Sequence, residues 1–161
     1  MYPIVKKEKL ADKIYLMDVK APRVAQYCEP GQFVIVKIDE QGERIPLTIC
    51  DYNREAGTIT IVFQTVGAST QRMVSLEQGD AFADFVGPLG CPSDLIDEDI
   101  EELKKKKIVF IAGGVGTAPV IADNAQGVVV QQSLLQAGLQ GVGRRRLCIK
   151  AQRCAGSGYE N

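Results

Sequence analysis

Strand-forming runs separated by turn residues fill most of the first 86 residues, and their spacing constrains the fold more than any other feature. The clearest run, TITIVFQTV over 58–66, is rich in β-branched residues that suit a pleated, half-buried strand. Strands are predicted over 4–10, 13–19, 32–38, 45–50, 58–66 and 81–86. Short strands at this spacing, with turns between them, indicate an antiparallel barrel or sandwich.

Turn residues and one helix signal divide these runs. Turns are predicted at 11–12, 29–31, 41–42 and 56–57, and a loop at 87–90. Residues 69–76 have the spacing of a short helix that begins at a Ser/Thr cap and stops before Gly79. The acidic and then basic stretch 94–107 is predicted to be a solvated linker or helix.

Composition excludes several classes of function. The 161 residues carry a net charge of -1, which gives no reason to expect nucleic acid as a partner. The absence of histidine excludes a Ser-His hydrolase. With no long apolar run and no leader pattern at Met1, we predict a cytoplasmic protein without membrane insertion. The 5 cysteines are scattered without a C-x-x-C pair, so we predict no metal site and interpret them as mostly reduced packing residues.

A second segment follows, and we predict a domain boundary near 102, which gives domains over 1–102 and 103–161. KIVFIA over 107–112 is a continuous apolar run of the kind found in parallel sheets. It leads directly into GGVGTAP over 113–119. A strand that ends in glycines before a helix offers backbone N–H groups to a phosphate, although a tight turn without a ligand explains the same residues.

The second segment is predicted to be an incomplete α/β nucleotide-binding domain that becomes atypical from about 122. A sheet of that kind needs on the order of 100 residues, and fewer than sixty follow the boundary. Residues 124–161 hold 5 basic residues and 1 acidic residue, unlike what precedes them. We interpret this tail as a frameshifted or otherwise aberrant stretch, and its Arg144–Arg146 cluster as solvated.

Two parts of the first segment could together hold a flavin. A flavin needs an apolar slot, a polar group near its reactive N5 edge, and donors at a helix start for its diphosphate. Thr48 would offer the polar hydroxyl, with Pro46 and Leu47 forming the wall, while Gly67, Ser69 and Thr70 would receive the diphosphate. An ordinary hairpin and helix cap explain the same residues. Cys50 shares a strand face with Thr48, either as a packing thiol or close to the flavin.

Five ordered motifs within about 1–121 resemble the ferredoxin-NADP reductase superfamily. They are PGQFV at 30–34, IPLTI at 45–49, VFQTVGAST at 62–70, GPLG at 87–90 and AGGVGTAP at 112–119. Within the superfamily, they are most similar to the small FAD subunit of NADH-dependent ferredoxin:NADP oxidoreductase, or sulfide dehydrogenase. They also resemble the electron-transfer subunit of dihydroorotate dehydrogenase.

The resemblance implies a six-stranded antiparallel flavin-binding barrel followed by a Rossmann-like domain. It implies an oxidoreductase subunit that passes hydride from NAD(P)H to FAD, and then electrons to an iron-sulfur partner. The implied FAD-binding residues are Arg44, Ile45, Pro46, Leu47, Thr48, Val62, Phe63, Gln64, Gly67, Ser69 and Thr70. Thr48 would be catalytic, and NAD(P)H would dock at Gly113, Gly114, Gly116 and Thr117.

The implied partners are a large flavin and iron-sulfur subunit of the same complex, and ferredoxin. This chain departs from the family in two places. The family has an arginine at the first position of the flavin motif, where this chain has Ile45 with Arg44 beside it. The family also ends in a cysteine-rich segment that holds a 2Fe-2S cluster, and Cys148 and Cys154 do not match it. A dihydroorotate dehydrogenase electron-transfer subunit, or a non-catalytic FAD-barrel fragment, is the alternative.

Overall fold

The structure is a computed structural model that describes residues 1–99, 102 and 114–118. The strands are β1 (Tyr2–Ala11), β2 (Ile14–Lys20), β3 (Phe33–Lys37), β4 (Ile45–Asn53), β5 (Thr58–Gln64), β6 (Ala81–Phe82) and β7 (Asp84–Leu89). The α-helices are α1 (Pro22–Tyr27) and α2 (Ala68–Ser75), and 3₁₀ turns cover Asp94–Ile96 and Gly114–Gly116.

The strands form one antiparallel sheet that closes into a barrel. Its order is β6-β1-β2-β5-β4-β3-β7. β6 pairs with β1, where Phe82 lies opposite Tyr2, and β7 pairs with β3, where Phe85 lies opposite Val36. Because β6 and β7 are successive pieces of the segment 81–89, the two ends of the sheet order meet.

The predicted barrel is therefore confirmed, with one difference in the strand count. The described chain has seven strands, not six, because the last strand is interrupted at Ala83. There the backbone N–H donates to the carbonyls of Lys37 and Ile38, at 3.0 and 3.2 Å, instead of continuing a regular ladder. The interruption lets one bent segment pair with β1 at its beginning and with β3 at its end.

Strand alternation decides which side chains fill the barrel. On β5, Ile59, Ile61 and Phe63 point inward and belong to the main core, whereas Thr60 and Val62 point outward. The core also contains Ile4, Met17, Val19, Val34, Val36, Ile49, Met73, Phe82 and Phe85. Burial of each large apolar side chain contributes about 1.5–3 kcal/mol, which makes this interior the main source of stability.

The loop predicted at 87–90 is wrong over 87–89, because these residues belong to β7. The β3–β7 register shifts between Phe33 and Ile35, and a proline without an N–H is tolerated at such an irregularity. Gly87 is needed for packing, because a Cβ there would lie 2.7 Å from Val34 Cγ1.

We expect Gly87→Ala to destabilise the barrel by about 1–3 kcal/mol, the usual cost of overpacking. Urea unfolding followed by circular dichroism would measure this loss. Val34→Ala removes the methyl group that the new Cβ would meet, so the two substitutions together should cost less than the sum of their separate effects. Strictly additive costs would contradict the steric explanation.

Two turn predictions also need correction. The β1–β2 turn lies at Asp12 and Lys13, one residue later than predicted, and Lys13 takes a positive φ of 60°. α2 begins one residue earlier than predicted, with Gly67 and not a Ser/Thr side chain at the N-cap. Thr70 instead acts from the third position of the helix, where its hydroxyl accepts the N–H groups of Val66 and Gly67.

A short helix, α1, lies where no element was predicted. It begins at Pro22, whose fixed φ suits a first helical position, and it buries Val24 and Ala25. The buried Cys28 follows its end, and the Arg54 guanidinium donates to the Cys28 carbonyl at 3.2 Å and to Glu29 at 3.1 Å. Arg54 thus ties the β4–β5 turn to the chain after α1.

Burial raises the pKa of the Cys28 thiol from 9.0 to about 11, and burial also raises the pKa of Tyr52. The neutral thiol is therefore favoured in the folded chain, so its contribution is complete below pH 9.0 and is lost as the pH rises towards about 11. We expect the free energy of unfolding to fall over that range. Urea titrations at several pH values should show a smaller fall in the free energy of unfolding for Cys28→Ala. The control Cys91→Ala, which removes an exposed thiol, should show the same fall as the parent chain.

Several predictions fall outside the described residues. They concern the strand 107–112, Gly113, the atypical tail from 122, Arg144–Arg146, and Cys148 with Cys154. Within 1–99, 102 and 114–118, no helix is long and apolar enough to cross a membrane.

Candidate functional site

A groove joins the two segments that the sequence singles out. Its volume is about 400 Å³. One wall is the start of β4 with the residues just before it, and the other is the start of α2. The lining residues are Glu43, Arg44, Ile45, Pro46, Val66, Gly67, Ala68, Ser69 and Thr70. The fold therefore brings Arg44, Ile45 and Pro46 to the same groove as Gly67, Ser69 and Thr70.

The start of α2 presents backbone donors to this groove. The first N–H groups of a helix have no partner within the helix and carry its positive dipole end. Gly67 is extended, with φ -147° and ψ 176°, and space is open where a Cβ would stand. The Thr70 hydroxyl accepts the N–H groups of Val66 and Gly67 at 3.0 and 3.1 Å, and donates to the Gly67 carbonyl at 3.0 Å. Thr70 thus holds the backbone conformation of the turn at Val66 and Gly67, which lines the groove.

Two charged neighbours on the β4 wall have different partners. The Arg44 guanidinium donates to the Asp84 carboxylate of β7 at 3.3 Å and remains largely exposed. The Glu43 carboxylate instead accepts a hydrogen bond from the Ser69 hydroxyl, across the groove. In this arrangement the acidic residue, and not the basic one, is bonded to the start of α2.

The alternation of β4 separates the predicted wall residues into two sets. Ile45 and Leu47 pack against the main core. Pro46 lies between these two inward residues and Thr48 follows Leu47, so period-two alternation places both on the outer face. Arg44 precedes Ile45 and lines the groove, so a cation is available although the motif position itself is apolar.

A second apolar cluster covers part of the same outer face. Cys50, Val62 and Ala118 are its buried members, at 5%, 9% and 5% exposure. Leu10, Ile14, Leu16 and Val115 pack around them. The glycine-rich turn of the second segment therefore lies against β4 and β5, directly beyond Thr48 on the strand. In this cluster Cys50 is a packing residue.

The other predicted site residues are dispersed. Phe63 belongs to the main core and stacks on Tyr15, with ring centroids 6.0 Å apart, so its side chain does not reach the outer face. Gln64 is exposed at the end of β5. In the second segment, Gly114 and Gly116 form the 3₁₀ turn and Thr117 is buried at 6% exposure.

Three groove residues, Glu43, Val66 and Ala68, were not among the predicted FAD-binding residues, although Val66 and Ala68 lie within the motif at 62–70. Val66 is 79% exposed, an unusual position for a large apolar side chain. Its place at the end of a β-branched run predicted a continuing strand, so the sequence did not indicate that Val66 lines a groove. Glu43 could have been predicted as a site residue from its position directly before Arg44, a predicted FAD-binding residue.

The described barrel has the fold of ferredoxin reductase-type proteins. The structure of an NADH-dependent reduced ferredoxin-NADP oxidoreductase, described in terms of flavin-based electron bifurcation, matches 77% of this chain and 42% of its own with 34% identity and a TM-score of 0.69. The predicted resemblance to this superfamily is thereby confirmed.

The relatives in sequence include electron-transfer subunits. An uncharacterized Clostridium beijerinckii protein in the adh 3′ region is 62% identical over 120 residues, which cover 74% of this chain and 40% of that protein. A Thermotoga maritima homolog of the electron transfer subunit of dihydroorotate dehydrogenase B is 37% identical over 115 residues, which cover 71% of this chain and 38% of that protein. The chain thus spans about two fifths of these relatives. No family model matches.

Proposed function

We propose that this chain binds FAD and forms the flavin-binding half of an electron-transfer subunit. The subunit would take hydride from NAD(P)H and pass electrons to an iron-sulfur partner. The observation that carries the proposal is that the β4 wall and the start of α2 line one groove together. Similarity to electron-transfer subunits supports the same conclusion.

The donors of the groove fit a diphosphate. The N–H groups of the first turn of α2, the Ser69 hydroxyl and the exposed Arg44 guanidinium would each donate to phosphate oxygens. Thr70 would act indirectly, because its hydroxyl is already engaged in holding Val66 and Gly67. Gly67 leaves the approach to the helix open.

The ring of the flavin would lie on the outer face of β4. Pro46 supplies apolar surface there, and Thr48 supplies a hydroxyl on the same face, suited to the polar edge near N5. FAD, when bound, would supply hydride acceptance and one-electron transfer. The chain would orient the ring and exclude water, since Cys50 and Val62 already form a dry cluster beside it.

The turn over 114–118 would receive the nicotinamide nucleotide. Its packing against Cys50 and Val62 holds it next to the face proposed for the flavin. Gly116 is exposed and nothing occupies the position of a Cβ, so a phosphate could approach the backbone closely. Gly113 and Pro119 lie outside the described residues.

The partners are also proposals, because the chain spans only part of its relatives. We propose a large flavin and iron-sulfur subunit of the same complex, with ferredoxin as a carrier. The described residues contain no group of three or more metal-ligating side chains, so they supply no site for the family's 2Fe-2S cluster. The 37% identity to a dihydroorotate dehydrogenase B subunit homolog favours a second candidate, in which the partner is a dihydroorotate dehydrogenase.

The first test is the visible spectrum of the purified chain before and after FAD is added, followed by anaerobic titration with NADH and then NADPH. Flavin that binds and bleaches would support both halves of the proposal. Flavin that binds and stays yellow would restrict the function to FAD binding. A chain that takes up no flavin would contradict the proposal and favour a non-catalytic barrel.

A further inference from the structure

Glu43 is the one acidic side chain that lines the described groove. Its carboxylate accepts the Ser69 hydroxyl, and Ser69 belongs to the first turn of α2. The contact joins the two walls of the groove, beside the ion pair that links Arg72 of α2 to Asp39 in the chain before β4.

A carboxylate is electrostatically well placed at the start of a helix. The positive end of the dipole and the free N–H groups there favour any anion, which includes both a carboxylate and a phosphate. In the proposed function the diphosphate of FAD needs these same donors. Glu43 thus holds the Ser69 hydroxyl that the diphosphate would use, and its charge opposes the charge of the diphosphate.

The neighbouring cation does not cancel this effect in the described arrangement. Arg44 donates to Asp84, on the β7 side of the wall. The groove therefore presents a carboxylate to the start of α2, while the guanidinium is bonded elsewhere. Binding of a diphosphate requires that Glu43 release Ser69.

We propose that Glu43 is an internal competitor of the diphosphate, and that it lowers the affinity of the chain for FAD. The inference rests on the proposed function, because it concerns the same groove. Its consequence is a flavin that is held reversibly and exchanges with free FAD. Glu43 touches the binding donors and not the reacting atoms, so it sets affinity and takes no part in hydride transfer.

The contact between Glu43 and Ser69 is not needed for folding. Exposed polar pairs of this kind contribute about 0–1 kcal/mol, far less than the barrel core. A substitution at Glu43 should therefore leave a folded chain whose flavin affinity can be measured.

The test compares the affinities of the full chain and of Glu43→Gln for FAD. Each is titrated with FAD at low and at high salt, and flavin fluorescence monitors the binding. We expect Glu43→Gln to bind FAD about 10-fold more tightly, with a smaller gain at high salt because screening weakens the repulsion. Glu55→Gln is the matched control: it removes the same charge from an exposed residue at the opposite end of β4, and should leave the affinity unchanged.

A second variant checks the hydrogen bond itself. In a Ser69→Ala background the carboxylate loses its partner on α2, so the gain from Glu43→Gln should shrink. Equal or weaker FAD binding by Glu43→Gln, with binding by the unmodified chain intact, would overturn this inference alone. Absence of FAD binding by both would overturn the proposed function as well.

Discussion

The substitution Gly67→Asp should remove most FAD binding and leave the barrel as stable as before. Aspartate is favoured at a helix N-cap, Gly67 is extended, and nothing lies within 4 Å of the position of the new Cβ, so the fold accommodates it. The new carboxylate would lie beside the proposed diphosphate. Like charges about 4 Å apart at a protein surface repel by about 4 kcal/mol before screening, so we expect an affinity loss on the order of 100-fold.

The matched control is Gly67→Asn, which has the same shape and capping ability without the charge. Both variants are titrated with FAD and unfolded in urea. The comparison separates the effect of the added charge on FAD affinity from the effect of the added side-chain volume. Asparagine should reduce affinity far less than aspartate, and both should unfold at the urea concentration of the parent chain or above it. Equal affinities for the two variants would place the diphosphate away from Gly67.

Replacement of Phe82 by alanine should be among the most damaging substitutions in the barrel. Its side chain is fully buried and packs near Phe85, with ring centroids 6.3 Å apart. It also lies in β6, opposite Tyr2, where the sheet closes. A Phe→Ala change in a core costs about 3–5 kcal/mol, so we expect loss of much of the cooperative urea transition.

Phe82→Leu keeps most of the apolar volume and should cost far less. Tyr27→Ala is the surface control. Tyr27 is 73% exposed, so its replacement should leave the free energy of unfolding nearly unchanged. If Phe82→Ala were no worse than Tyr27→Ala, the closure between β6 and β1 would not contribute to the stability of the barrel.

Much of the barrel follows from local sequence. β5 was predictable because Ile59, Ile61 and Phe63 alternate with outward residues in a β-branched run. Its predicted end was two residues late, since Thr65 and Val66 prefer extended backbone whether or not they pair. α1 was missed because a helix of six residues, Pro22–Tyr27, is too short for a clear apolar periodicity.

The loop predicted at 87–90 shows where local rules fail. Proline and glycine ordinarily mark turns, yet Gly87 and Pro88 continue β7 because the β3–β7 register is irregular there and Val34 leaves room only for glycine. That reason lies in the neighbouring strand, out of reach of any window along the sequence.

Several residues of the candidate site could be predicted from the sequence, but the partners of its charged side chains could not. Arg44 and the start of α2 were recognisable as donors, and the barrel brings them to one groove. Nothing in the sequence shows that Arg44 bonds to Asp84 while Glu43 bonds to Ser69. Those pairings depend on distances between segments that are far apart along the chain.

The bent segment 81–89 also determines the order in which the chain can assemble during synthesis. β1 leaves the ribosome early, but its partner β6 is synthesised about eighty residues later. Until then, one edge of the N-terminal strand has unpaired backbone groups. Pairing over such long separations folds slowly and exposes strand edges to other chains. A nascent chain that ends before residue 81 lacks β6 and therefore leaves one edge of β1 open to pairing with other chains.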